Sequence, residues 1–398
     1  MSGHRGLVAA SAVSQFLLAL GWTVYVIYLP TLAAQAGIDK RWVPWILLMD
    51  QAIFAAMDWA LGVAADRVAA ATARIGNAVA LATLVSCGAF LAMPLAALQG
   101  SPALFLALTV LWSATSSALR APPFVLFGRH VPGPSQPAAA AWFLFGLGVA
   151  GAIGPYLTNA LKGGDPRWPF ALAAISLAVA TLVLARAIRA NPAPAPDPRV
   201  PAAALPSGPV LAFLGAVLLA GLAFQVHFAL NAAPSFLRFA KPAELESLMP
   251  VFWIGFNLML APGVLATKRF GGLAAFALGS AAGGVGAVMA ASAGTLPFLV
   301  AAQFVAGAGW GIALASAAAA ALAIGRTGRE GFVSGALWSL LAIAAFTRIA
   351  LVIAQAPQDP AWKPVLAWLP ATLWLAAGLL VLAAATASRR GASDPRKP

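Results

Sequence analysis

The sequence predicts an all-α integral membrane protein whose twelve transmembrane helices form two six-helix bundles. Three observations carry that prediction: the composition, the number of long apolar runs, and the place of the widest polar gap. Hydrophobic residues fill 62% of the 398 positions and charged residues only 9%. That is too little polar surface to cover a soluble globule, so lipid must be the solvent for most of the chain. A bilayer-spanning helix needs about 20 apolar residues. Twelve runs qualify: 7–30, 43–65, 76–98, 102–126, 138–160, 169–188, 209–231, 248–267, 272–293, 296–324, 332–355 and 363–386. The widest gap, Ala190 to Ser207, divides them six and six.

The first run follows Met1 to Arg5 and continues to about Leu32 without a short apolar core and small-residue cleavage site, so it is read as an uncleaved helix. Gln15, Trp22 and Tyr25 form a stripe along it. The second run contains Asp50 and Asp58, which lie about 80° apart around a helix and about 12 Å apart along it. The third holds the single cysteine, Cys87, so neither a disulfide framework nor a cysteine metal site is possible. In the fourth, Arg120 precedes Pro122-Pro123, which are expected to break the end of the helix. Gly154-Pro155 in the fifth run is followed by Tyr156 and Asn159. The sixth closes the first half.

In the seventh run His227 shares one face with Phe224 and Asn231. This helix is expected to loosen near Asn231-Ala-Ala-Pro234, where freed backbone groups would line a cavity. Asn257 lies near the centre of the eighth run, Gln303 and Trp310 lie on the tenth, and Arg348 on the eleventh. The ninth carries no ionisable residue, and the twelfth carries one at its first position, Lys363. Trp42, Trp45, Trp168, Trp362 and Trp368 fall near run ends, as interfacial anchors do. The expected units are a bundle over 1–188, a linker over 189–208, a second bundle over 209–388 and a tail over 389–398. The linker is rich in Pro and Ala, carries Arg199 and reads as extended and flexible.

Cytoplasmic loops of membrane proteins carry an excess of Lys and Arg. With both termini on the cytoplasmic side, 15 of the 24 Lys and Arg fall in inner loops and tails and 7 in outer loops. The remaining two are Arg120 and Arg348, inside runs. The expected location is therefore a bacterial inner membrane with both termini cytoplasmic. The net charge of +13 does not point to nucleic acid, because the bases sit at run ends and form no patch with interleaved aromatics.

Gly62-Val-Ala-Ala-Asp66-Arg67 joins the second run to the third, and Gly263-Val-Leu-Ala-Thr267-Lys268-Arg269 follows the eighth run 201 residues later. This G-x-x-x-D-R loop resembles the signature between helices two and three of the major facilitator superfamily of transporters, and its copy falls where that family's internal duplication would put it. The family usually continues with another glycine and two bases; here Ala69-Ala70-Ala71 follow, Arg74 comes late, and Thr267 replaces the acid in the copy. Asp58-x-x-x-Gly62 also looks like helix two of the sugar–cation symporters of the glycoside-pentoside-hexuronide family. Phe54 stands where that family has a second acid, which points to a proton rather than sodium. Gly151-x-x-Gly154-Pro155 resembles a helix-five motif of drug antiporters, with the glycine spacing one off.

Ionisable groups in hydrocarbon are costly and mark functional sites. Asp50, Asp58, Arg120, Arg348 and His227 are the candidates for proton coupling and gating. In the resembled fold helices two and eleven face each other, so Asp50 and Arg348 are expected to pair across the seam, and Asp58 with Arg120 within the first half. The substrate-cavity candidates are Gln15, Trp22, Tyr25, Tyr156, Asn159, Asn231, Asn257, Gln303 and Trp310. Gly62, Asp66, Arg67, Gly263, Lys268 and Arg269 form the expected cytoplasmic motif.

The resemblance implies a secondary transporter that moves a small organic solute by alternating access, with proton-coupled uptake slightly favoured. A proton-driven multidrug or metabolite efflux antiporter is the alternative within transport; outside it stands a non-transporting membrane assembly or receptor protein. There is no G-x-x-x-x-G-K-[ST] loop, and the short loops lack the acid, His or Ser clusters a membrane enzyme would want. The expected partners are the solute, protons and lipid, with no nucleic acid, cofactor or metal, and the expected state is a monomer.

Overall fold

The structure, a computed structural model, describes residues 3–71, 75–191, 207–325 and 328–392. Twelve helices are long and apolar enough to cross a membrane: α1 (His4–Gln35), α2 (Lys40–Val68), α3 (Ile75–Leu98), α4 (Pro102–His130), α5 (Gly133–Leu161), α6 (Arg167–Ala190), α7 (Gly208–Phe236), α8 (Pro242–Phe270), α9 (Gly272–Ala291), α10 (Leu296–Gly325), α11 (Glu330–Ile353) and α12 (Trp362–Thr386). They overlay the twelve apolar runs with ends moved by a few residues. Arg74, Arg199, linker positions 192–206 and tail positions 393–398 lie outside the described residues. Twelve crossings return the chain to the side on which it starts, called here the basal end; the other is the apical end.

Within the first six helices α1 packs on α5 and α6, and α3 on α4 and α6; within the last six, α9 packs on α10 and α12, and α7 on α11 and α12. The two sets meet along α2–α11 and α5–α8. The internal repeat makes α2 equivalent to α8 and α5 to α11, so the two seams are counterparts.

Lipid supplies no hydrophobic force between helices, so close van der Waals approach must hold them, and small residues permit it. The stretch Gly307-Ala-Gly309-Trp-Gly311 serves two neighbours at once. Gly307 and Gly311, one turn apart, lie against the carbonyls of Phe252 and Phe256 on α8. Gly309, on the other side of the helix, lies against Gly279 and Gly283 of α9. On α8, Gly255 returns the contact to the Phe304 carbonyl.

Two helices depart from the sequence expectation. Pro122-Pro123 do not end α4: an α-helix over Pro102–Ser116 passes through a 3₁₀ turn, Ser117–Leu119, and a new helix runs Pro122–His130. Proline is tolerated in a first helical turn, where its missing N–H would have had no partner. Helix α7 loosens one turn earlier than expected, into a π-helical stretch over Gln225–Ala232. Pro234 follows it, and its lack of an N–H leaves a carbonyl in the preceding turn without its regular partner. The five tryptophans expected at interfaces are all exposed.

Gly307→Leu should lower the melting temperature and the folded yield, by roughly 1–3 kcal/mol or more, because the side chain meets a backbone carbonyl. Gly88→Leu, at a position with open space around it, should leave both near wild type. Size-exclusion chromatography after heating checks the pair.

Candidate functional site

Asp50, Phe54, Asp58, Gly62 and Asp66 recur every four residues along α2 and so form one slowly turning stripe. Its basal part lies on α11. A Cβ on Gly62 would overlap the Gly331 carbonyl, one on Gly331 would overlap that of Gly62, and Gly335 rests on the backbone of Asp58 and Trp59. The two helices therefore touch backbone to backbone. One turn further, the Asp66 carboxylate accepts from the N–H of Gly331 at 2.7 Å and of Phe332 at 2.8 Å. Those are first-turn donors of α11 with no partner inside that helix, and the positive end of the helix dipole adds to the attraction. Trp59 closes edge-on against Phe332 at 6.0 Å. The Glu330 side chain lies over Gly128 of α4, where a Cβ would collide with it. Arg67 is exposed. The sequence marks Asp66 as part of the motif; the helix it caps, and Glu330, were not foreseen.

The copy of the motif behaves differently. Gly263 packs against Ile312 of α10, and Thr267 shares a hydrogen bond with Ser316 of α10 at 2.9 Å. Both partners lie in its own half. Lys268 and Arg269 are exposed in the last turn of α8, where cations suit the helix dipole.

One turn above Gly62, Asp58 is completely buried and stands 3.3 Å from Nη2 of Arg120. The contact is a charge pair and not an aligned hydrogen bond, for neither Asp58 oxygen has a hydrogen-bond partner among the described residues. The break in α4 aims Arg120 here. Its guanidinium lies over the rings of Phe54 at 4.8 Å and Trp338 at 5.4 Å. Trp338 belongs to α11, so a pair made within the first half also touches the second.

Asp50, equally buried, has a different environment. It accepts hydrogen bonds from the Tyr25 hydroxyl at 2.8 Å and the Ser113 hydroxyl at 2.7 Å. Trp22, Tyr25 and Trp112 pack ring to ring beside it, and Trp22 also meets Phe54. The expected Asp50–Arg348 pair is not made. Asp50 is turned about 80° from Asp58 around α2, away from α11 and toward hydroxyls of α1 and α4. Ser113 gave no sequence signal, since a lone serine in an apolar helix is commonplace.

The remaining candidates are spread through both halves. His227 Nε2 is 3.0 Å from Gln303 Oε1, between the rings of Phe252 and Trp374, inside the second half. Asn231 donates to the Leu366 carbonyl of α12 at 2.7 Å. Asn257 donates to the Trp253 carbonyl and fits into the space over Gly148 of α5. Gln15 is buried, and Trp310 is stacked on Phe224. At the apical end Tyr156 is exposed, and Asn159 of α5 donates to Glu246 of α8 at 2.8 Å, tying the halves together.

A family profile, the Major Facilitator Superfamily, matches residues 11–347. The chain belongs to the Major Facilitator Superfamily. Solved members show the same fold. The human organic anion transporter MFSD10 is 15% identical, with a TM-score of 0.71 and 95% of this chain and 99% of that chain covered. A bacterial homologue of the iron transporter ferroportin, in an outward-facing state, is 11% identical with a TM-score of 0.74, covering 96% and 99%. No curated protein matches the chain. For a superfamily member the contacts above make a transporter whose basal end is shut along α2–α11.

Asp66→Ala removes the cap on α11. At about 1 kcal/mol for such a cap, forms open at the basal end should gain roughly five-fold in population. The labelling rate of Ser334→Cys in a Cys87→Ser background reports it, and an unchanged rate would take Asp66 out of the closure.

Proposed function

We propose that the protein is a secondary active transporter that takes up a small organic solute together with protons by alternating access. The observation that carries this reading is the unequal surroundings of the two buried carboxylates. Asp50 has hydroxyl donors and, among the described residues, no ion-pair partner, so it can take a proton without breaking an ion pair. Asp58 cannot, since a proton there would strip Arg120 of its counter-charge. Asp50 is therefore the proton carrier in this scheme, and Asp58–Arg120 is the element between the proton site and the basal closure.

The excess of bases at the basal end supports a cytoplasmic assignment for it, with the chain in a bacterial inner membrane as a monomer. The bundles over 1–188 and 209–388 then rock about the solute, and the α2–α11 contact opens when solute enters the cell. Efflux of a lipophilic cation fits less well. Such a cargo needs a carboxylate with free oxygens, whereas both oxygens of Asp50 are engaged and Asp58 faces Arg120. The organic anions named for the human relative suit a site containing Arg348.

Proteoliposomes holding a pH-sensitive dye, challenged with pooled organic acids, sugars, peptides and drug cations, test the scheme. A solute that carries protons with it supports uptake; proton flow against the solute makes the protein an exporter. Asp50→Asn should abolish proton-driven accumulation and keep solute exchange, and undiminished accumulation would remove Asp50 from coupling. Asp58→Asn should instead lower stability by about 3–5 kcal/mol, the cost of an orphaned buried charge, and Asp58→Asn with Arg120→Gln should recover most of it.

A further inference from the structure

Helices α7 and α11 run in the same direction and touch where Gly221 lets Leu341 and Ala344 approach. Leu341, Ala344 and Arg348 follow at spacings of three and four, so Arg348 continues the α11 face that meets α7. On α7, Phe224 and Phe228 continue the face of Gly221 by the same spacing. Phe228 and Arg348 each lie seven residues beyond the Gly221–Leu341 contact, about 10 Å along either helix. They therefore reach a similar level on two helices that touch there, since the π-helical stretch of α7 also meets α11.

Each has something unfinished. Of the two arginines well inside the spans, Arg120 has an acid and two rings, while Arg348 has no ion pair, hydrogen bond or ring contact among the described residues. Its Nε is buried without a partner. Phe228 is the last of three near-parallel rings and also meets Phe252 at 4.8 Å and 36° and the edge of Trp253 at 5.5 Å, so only its partly exposed side is open to a further ring. Trp310 stacks on Phe224 at 5.0 Å and 7°, and Phe224 on Phe228 at 5.9 Å and 6°. Trp310 is buried, whereas Phe224 and Phe228 are only partly so. The π-helical turn of α7 spans this level, and such turns cluster at functional sites because they re-aim side chains.

We propose that Arg348 and the Phe228 end of the ladder form the binding site for a planar aromatic anion. The inference rests on the transport reading and gives it a substrate class. The ring of the solute extends the ladder, and its carboxylate or sulfonate takes the guanidinium in a charge-assisted pair. A proton on Asp50 and one negative charge at Arg348 leave the net charge in the membrane unchanged, so a monovalent anion travels with one proton and without net current.

Naphthalene-1-sulfonate is the probe, because it has no neutral form that leaks through lipid. Its binding to the purified full-length protein is read by fluorescence titration, and its accumulation in proteoliposomes under a pH gradient. Arg348→Gln should weaken binding about ten-fold or more, with Arg348→Lys recovering part of the loss. Phe228→Leu should weaken it several-fold and leave competition by ethanesulfonate unchanged. Accumulation should ignore an imposed membrane potential. Wild-type affinity in a folded Arg348→Gln protein overturns the site. Equal competition by 1-naphthalenemethanol or by a naphthyl ammonium overturns it too, and needs no variant. Accumulation of a different solute with no naphthalenesulfonate binding sinks the site and keeps the transporter; binding without accumulation of any solute does the reverse.

Discussion

At the basal end two helices from different halves meet with nothing between their backbones. Gly62 and Gly331 each occupy the space where the other's side chain would be, and Gly335 repeats the contact one turn on. This approach fixes the register of α2 against α11, and much else depends on that register. It delivers the first-turn N–H groups of α11 to Asp66. It places Trp338 over the guanidinium that neutralises Asp58. A helix N-terminus in a region poor in water needs acceptors, and a carboxylate entering that region needs donors; each meets the requirement of the other. The closure is therefore more than steric. Separation of the helices leaves two amides and a carboxylate to find water.

The same scarcity of water sorts the charges inside the spans into three environments. Asp58 and Arg120 neutralise each other, with two rings covering the cation. Asp50 is satisfied by neutral hydroxyls. Arg348 is left without a partner from the described residues. An uncompensated charge in hydrocarbon is retained at a cost, and the two uncompensated groups carry opposite signs in opposite halves. Cargo consisting of a proton and an anion would satisfy both, whereas a neutral solute would satisfy neither. In the proposed scheme charge balance links Asp50 to Arg348 without the contact expected between them.

The fold was legible in the sequence because lipid imposes a length and a composition on every crossing, and alternation of loop charge fixes the parity. The Gly62–Asp66 loop was legible for a similar reason: few residue types permit both backbone contact and helix capping. The pairs inside the bundles were legible only in part. Asp58 with Arg120 was expected within the first half and is made there. Asp50 with Arg348 failed on azimuth, since eight residues turn a helix by about 80° and that turn carries Asp50 out of the seam. Ser113 and Trp338 had no local mark, because serine and aromatic side chains are ordinary in apolar helices, and Phe54 was marked only as the place of a missing acid. Trp112 and Trp310 were closer to legible. They are 198 residues apart, near the repeat of the loop motif, and each stacks with a ring from the first helix of its half.

The two copies of the loop motif have diverged in a direction that matters for opening. Asp66 bonds across the seam, whereas Thr267, at the equivalent place on α8, bonds to Ser316 within its own half. The glycines follow suit: Gly62 lies on α11 and Gly263 on α10. Among the described residues, the carboxylate cap across the halves at the basal end is on the α2–α11 seam. At the other seam, α5–α8, the hydrogen bond between halves is apical, Asn159 to Glu246. In the proposed cycle the two bundles rock against each other around the solute site. With Thr267 in place of an acid, opening the basal end breaks one carboxylate cap; a second carboxylate latch on α8 would have to break in the same step and would raise the cost of opening.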